Sequence, residues 1–254
     1  MKANERCQSE DIGQRGASST SRRDWLANFG LVGAAALLNG RAASAQEDKR
    51  MAKEENAPPE DLMREHGVLN RVLLIYEEAI RRIEGKHNLP PEVVQNAATI
   101  LRTFIEDYHE KLEEDYLFPR FEKAGRLTDL TRVLRAQHQA GRRLTDQVTQ
   151  LASLRALKDP TQSETLKNAL RQFVRMYRPH EAREDTVLFP ALRDIVSRQE
   201  FGALGEDFEK KEHQLFGEEG LEKIVERVGG IEKALGIYEL AQFTPRVQYR
   251  LSLR

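Results

Sequence analysis

Between His109 and Pro119 the chain reads His-Glu-Lys-Leu-Glu-Glu-Asp-Tyr-Leu-Phe-Pro, and between His180 and Pro190 it reads His-Glu-Ala-Arg-Glu-Asp-Thr-Val-Leu-Phe-Pro. The two phrases keep His, Glu, Glu, an acid, Leu, Phe and Pro in register. Another histidine precedes each, His66 standing 43 residues before His109 and His138 standing 42 before His180. A helix advances about 100° per residue, so positions i and i+4 are neighbours on one face. His109 therefore shares a face with Glu113, and His180 with Glu184. A chain built this way must bring two similar helical halves together around one interior.

Hydrophobic periodicity supplies the helices. In the first, Leu62, His66, Leu69, Leu73, Tyr76, Ile80 and Ile83 form an apolar stripe, and a break follows at Gly85 to Pro91. Pro90-Pro91 suits the start of the next helix. That helix, over about 92–121, aligns Ile105, His109, Leu112 and Tyr116, and Gly125 supplies its stop. A third over about 128–157 aligns Leu134, His138, Gly141, Thr145 and Val148. The fourth, over about 164–196, aligns Phe173, Tyr177, His180, Glu184 and Val187, with Pro179 expected to kink it. Short connections make successive helices antiparallel, so the predicted fold is all-α, an up-down-up-down four-helix bundle with ligands projecting inward. Beyond residue 200 a helix through Phe216 is predicted, with a stripe of Phe201, Leu204, Phe208 and Leu215. Breaks at Gly217, Gly220 and Gly229-Gly230 then separate weaker helical pieces packed outside the bundle. The predicted organisation is a signal over 1–45, a connector over 46–59, the bundle over 60–200 and a C-terminal extension over 201–254.

Burying Glu113 and Glu184 on these stripes costs several kcal/mol each unless a cation or a hydrogen-bond donor compensates. No basic residue stands beside them on the same stripes, and two dications suit this many ligands better than one. Glu110 and Glu181 also recur, about 100° round from their histidines, as extra ligands or as acceptors that orient an imidazole. Glu114 and Asp185 are expected to be solvated helix charges, with Asp185 able to substitute for Glu184 were the helix locally distorted, His213 an exposed residue and His87 a loop residue. The Leu-Phe-Pro runs ending at Pro119 and Pro190 should fill the bundle end, with each proline bending its helix away. Gly67 and Gly141 either permit close helix approach or leave room for a small ligand.

At these residues the chain resembles the hemerythrin-like family, the His-His-Glu cation-binding domain, over about residues 60 to 200. The resemblance implies metal ligation by His66, His109, Glu113, His138, His180 and Glu184. It implies two irons bridged by the two carboxylates and by an oxo or hydroxo group, and a small ligand such as dioxygen, nitric oxide or peroxide. Oxygen carriers of the family have a further histidine four residues after the third, where this chain has Arg142, so reversible carriage does not follow; Glu110, Glu181 or water would replace the lost ligand. A ferritin-like site calls for paired Glu-x-x-His spacings. Only Glu106 to His109 fits that rule. Three functional classes stay open: a binding protein for a small oxidant or for iron, an oxidase or peroxidase-like enzyme using Tyr108, Tyr116 or Tyr177, and a metal-inert helical interaction module. No catalytic residue or electron donor is assigned.

The N-terminal 45 residues read as an address. Ser21-Arg22-Arg23-Asp24-Trp25-Leu26 precedes an apolar run from Ala27 to Leu38, and Ala43-Ser44-Ala45 offers a small-x-small cleavage site. This resembles a twin-arginine export signal and implies a periplasmic or other extracytoplasmic location. The apolar run falls short of the roughly 20 residues a membrane span needs. Cys7 is the sole cysteine and would leave with the signal. A metal must then be held by imidazole nitrogen and carboxylate oxygen, which suits iron or manganese and leaves copper and zinc open. The 40 Lys and Arg are offset by 41 acids, which excludes the basic balance of a nucleic-acid binder.

Overall fold

The computed structural model describes residues 57–245. Backbone contacts divide the chain after Met51, and the unit Ala52–Arg254 contains every described residue. The proposed export signal, its cleavage site and most of the connector lie outside the described residues, as does the end of the tail.

Helix α1 is Pro58–Glu84. It starts inside the predicted connector because Pro58 and Pro59 occupy its first turn, where a missing N–H costs nothing, and Glu60 and Asp61 face the positive end of the helix dipole. Helix α2 spans 91–124 and ends at Gly125, whose φ of 64° lies in the left-handed region. Helix α3 is Thr128–Leu151, shorter than predicted, because Ser153 caps a separate short helix α4, Leu154–Lys158. Asp159 accepts hydrogen bonds from the backbone of Thr161 and Gln162 and so starts α5, which spans 160–192. Its stretch Pro160–Arg183 passes through Pro179 without a break.

Each helix is in contact with two others of the four, α1 with α2 and α5, and α3 with α2 and α5, which is the ring of an up-down-up-down bundle. The stripes face inward as predicted: Leu62, Leu69, Leu73, Ile105, Leu112, Leu134, Val148 and Phe173 are all buried.

Two stretches depart from α geometry where the duplicated phrases lie. Glu113–Leu117 and Glu184–Leu188 are π-helical turns, and α2 carries a further π-helical stretch at Leu101–His109. The sequence cause is the proline of each phrase. Pro119 and Pro190 have no N–H for the α ladder and crowd the carbonyl four residues back. The wider turn absorbs this, with the N–H of Phe118 reaching the carbonyl of Glu113 and that of Phe189 reaching Glu184. The prolines therefore do not turn the chain away as expected; helix resumes at Phe118–Ala124 and Phe189–Leu192. One extra residue per turn also rotates the stripe, so Leu188 is buried and Val187 only half-buried.

The C-terminal extension forms α6, Arg198–Phe216, and α7, Gly220–Leu235. Gly217 breaks the chain as predicted, but Gly229 and Gly230 sit within α7. Leu204 and Phe208 are buried, whereas Leu215 is exposed and its neighbour Phe216 packs inward against Phe104 and Tyr108. Among the described residues no helix is long and apolar enough to cross a membrane.

Candidate metal centre

The six ligand candidates from the duplicated phrases and their upstream histidines meet in the bundle interior. His66, His109 and Glu113 form one cluster, and His138, His180 and Glu184 another, all of them buried. The carboxylates join the halves. Glu184 lies 3.1 Å from Nε2 of His180 and 3.4 Å from Nε2 of His66, and Glu113 lies 3.3 Å from Nε2 of His138 and 3.8 Å from Nε2 of His109.

The outer nitrogen of every imidazole is engaged. His66 Nδ1 donates to Asp185 at 2.7 Å, His109 Nδ1 to Glu65 at 2.6 Å, His138 Nδ1 to Glu114 at 3.1 Å, and His180 Nδ1 to the Gln137 carbonyl oxygen at 2.9 Å. Such contacts fix the tautomer and leave each Nε2 with a lone pair turned inward. Nε2 of His138 and of His180 then face one another at 3.2 Å, two acceptors without a proton between them. Nε2 of His66 and both oxygens of Glu113 and of Glu184 are likewise buried with no hydrogen-bond donor. Burial and the charge of Glu184 push the Glu113 carboxyl well above the usual range. Acceptors facing acceptors in a water-poor interior fit a cation bound between them. The donor set of imidazole and carboxylate suits a divalent transition metal.

Aromatic rings close both ends alike. Phe189 stacks on His66 with ring centres 5.4 Å apart, and Phe118 on His138 at 5.6 Å. The Leu-Phe-Pro runs thus wall the imidazoles as well as filling the bundle end.

Other expectations change. Glu114 and Asp185 are not solvated charges. They are the carboxylates that orient His138 and His66, brought there because the π turn carries the residue after each inner glutamate toward its neighbouring helix. Glu110 and Glu181 are buried, but neither contacts an imidazole Nδ1. Glu110 accepts the Tyr177 hydroxyl at 2.6 Å and lies 2.8 Å from Arg142, and Glu181 accepts the Asn70 amide. Burial raises both carboxyls to about 8, against the pull of Arg142 and Tyr177 on Glu110 and of His66 on Glu181. Arg142 stands where oxygen carriers have a histidine. Its guanidinium also reaches Glu114 at 2.8 Å, so it occupies the gathering of Glu110, Glu114 and His138 with its own charge. Glu106, the one residue in ferritin-like spacing, is held by Thr145 and by Arg102 at 2.7 Å and belongs to neither ligand cluster.

Glu65 and Gln137 escaped the sequence reading. Each immediately precedes an upstream histidine, Glu65 before His66 and Gln137 before His138, and serves the histidine of the adjacent helix. Their matched places before the paired histidines were the available signal. Gly67 is exposed with open space around it, whereas Gly141 lies against the Tyr177 hydroxyl, so a methyl group there would overlap it. His213 is exposed and His87 lies in a loop, as expected.

The hemerythrin HHE cation-binding domain model matches residues 57–162 and again 148–250. Uncharacterised proteins of Mycobacterium bovis and of two Mycobacterium tuberculosis strains are 54% identical over 187 residues, which covers 74% of this chain and 73% of each relative. No solved structure matches the chain. With two family matches that together span most of the chain, and with the histidines and glutamates of the duplicated phrase clustered inside an all-α bundle, the chain belongs to the hemerythrin HHE cation-binding family.

Proposed function

We propose that this chain is an exported di-iron protein that binds dioxygen or a related small oxidant such as nitric oxide or peroxide. The carrying observation is the set of inward acceptors, four Nε2 atoms and two carboxylates, with no donor to satisfy Glu113 or Glu184. His66 and His109 would hold one metal, His138 and His180 the other, with Glu113 and Glu184 between them. Iron is the metal the family resemblance favours, and manganese suits the same donors. The bound metals would supply Lewis acidity and electrons to the oxidant. The chain's part is to orient four imidazoles through Asp185, Glu65, Glu114 and Gln137, and to exclude water with Phe118 and Phe189. The resemblance of residues 1–45 to a twin-arginine signal supports export, and folding around metal before crossing would protect metal identity, since such sites bind copper more tightly than ferrous iron.

Elemental analysis and optical spectra of protein purified without oxygen test this. The expected result is two irons per chain and an absorption band that appears in air and reverses when oxygen is withdrawn. His109→Ala and Glu184→Ala should release metal. Absence of iron and manganese, with added ferrous ion leaving the melting temperature unchanged, would falsify the reading and favour a metal-inert interaction module. A second reading, an oxidase or peroxidase-like enzyme, rests on Tyr177, whose ring lies 5.2 Å from that of His180. Sustained turnover with a reductant supports it over carriage or sensing.

A further inference from the structure

Aligning His66 with His138 and His109 with His180 gives nearly every part of the centre a counterpart. Asp185 matches Glu114, and Phe189 on His66 matches Phe118 on His138. Three departures fall on one side. Glu65, which takes the His109 N–H, is matched by the neutral Gln137, which takes that of His180. Asn70 is matched by Arg142. The same Glu114 oxygen that accepts from His138 also accepts from Arg142 at 2.8 Å, so part of its charge is already spoken for.

A carboxylate behind an imidazole raises its basicity as a ligand and locks its orientation; losing such a partner changes metal affinity by about 10- to 100-fold. The first half has two acids, Asp185 and Glu65, neither of them hydrogen-bonded to a guanidinium, although Glu65 also takes a hydrogen bond from Tyr108. The second has an amide and a carboxylate shared with a guanidinium. A fixed cation on this side also repels an incoming dication.

Access differs in the same sense. Over the first half, Tyr108 lies against Glu65, Phe216 of α6 packs on Tyr108 with ring centres 5.4 Å apart, and Arg71 pairs with Glu232 of α7 at 2.5 Å. Over the second half, a groove of about 560 Å³ between α3 and α5 reaches Gln137 itself, with Arg143, Gln147, Gln172 and Arg175 along it. Gln137 is half-buried, whereas Glu65 is only 2% exposed.

Resting on the di-metal reading, we infer that the two metal positions are unequal: the His66 and His109 position binds firmly under the C-terminal helices, and the His138 and His180 position, on the side where Gln137 is half-buried, is the weaker and more readily stripped one. Gln137 is the positioning residue that weakens it.

Anaerobic titration of the metal-free full chain with ferrous ion, read by calorimetry and by equilibrium dialysis, tests the inference without any assay of activity. Two binding steps at least about tenfold apart are expected, and a chelator should strip one metal quickly and the other slowly. His180→Ala should delete the weaker step and His66→Ala the tighter. Gln137→Glu should tighten the weaker step by about tenfold, and Glu65→Gln should loosen the tighter one by a similar factor. Two indistinguishable sites with a single stripping rate in the unmodified protein overturn the inference while leaving the di-metal reading intact. So does a folded Gln137→Glu protein with an unchanged weaker step, or loss of the tighter step in His180→Ala. No binding at all overturns the di-metal reading itself. The unmodified chain's titration and stripping rates decide the matter even if a variant fails to fold.

Discussion

The two halves of the bundle carry the same ligand phrase in opposite surroundings. In the covered half, Phe104 and Leu101 of α2 are buried; their counterparts in the open half, Arg175 and Gln172 of α5, are exposed. Ile75 is buried where Gln147 is only half-buried. Arg71 is tied to Glu232, while its counterpart Arg143 lines the groove. Yet the inward faces differ far less: each half has two imidazoles, one inner glutamate, one stacked phenylalanine and two groups that orient the imidazoles, both acids in the covered half and an acid and an amide in the open one. Metal chemistry demands fixed donors at fixed places, so duplication persists inside. The outward faces answer only to what lies over them, and there α6 and α7 cover one half alone. The difference teaches that the C-terminal helices are part of the hydrophobic core of one half and not an appendage to the bundle.

The sharpest way to break this comparison is to cut matched residues on the two outer faces. Phe104→Ala removes a fully buried ring packed against Phe216 and Tyr108 and should cost about 3–5 kcal/mol in urea unfolding. Arg175→Ala at the matching place should stay within about 0.5 kcal/mol of the parent protein. Similar losses at both positions would mean that the extension does not seal the first half as described.

Much of this was legible because a duplicated phrase reports on itself. The helix stripes placed His66, His109, His138 and His180 inside, and the i,i+4 rule placed Glu113 and Glu184 with them. What the periodicity missed follows from the π turns. A rule of about 3.6 residues per turn sends Glu114 and Asp185 to solvent, whereas the wider turn directs them to His138 and His66. Glu65 and Gln137 were hidden for another reason. Each acts across a helix interface on a histidine more than forty positions away in sequence, and no local spacing encodes that pairing. Gly229-Gly230 looked like a break because glycine disfavours helix by about 1 kcal/mol each. Packing overrides it: buried Ile224, Val228, Ile231 and Leu235 hold α7 together.

A smaller effect should separate the two glycines beside the histidines. At Gly141 a methyl group would lie 2.0 Å from the Tyr177 hydroxyl, which must move and give up its hydrogen bond to Glu110. Gly141→Ala should therefore destabilise by about 1–3 kcal/mol, the usual cost of overpacking. In a Tyr177→Phe background the penalty should shrink, because the nearest overlapping atom is gone. An unchanged penalty would place the clash elsewhere.

The smallest effect belongs to Gly67, and its sign is opposite. It lies within α1, next to His66, exposed and with nothing near a would-be methyl group; its counterpart in the open half is the exposed Gln139. Glycine loses more backbone freedom on folding than alanine does. Gly67→Ala should therefore stabilise the protein by up to about 1 kcal/mol in urea unfolding, with metal content unchanged. The neighbouring histidine makes the outcome informative. Space reserved at Gly67 for a ligand of the centre would make the same methyl group cost metal or oxidant affinity, whereas a gain in stability with full metal content assigns the close packing beside the centre to Gly141 alone.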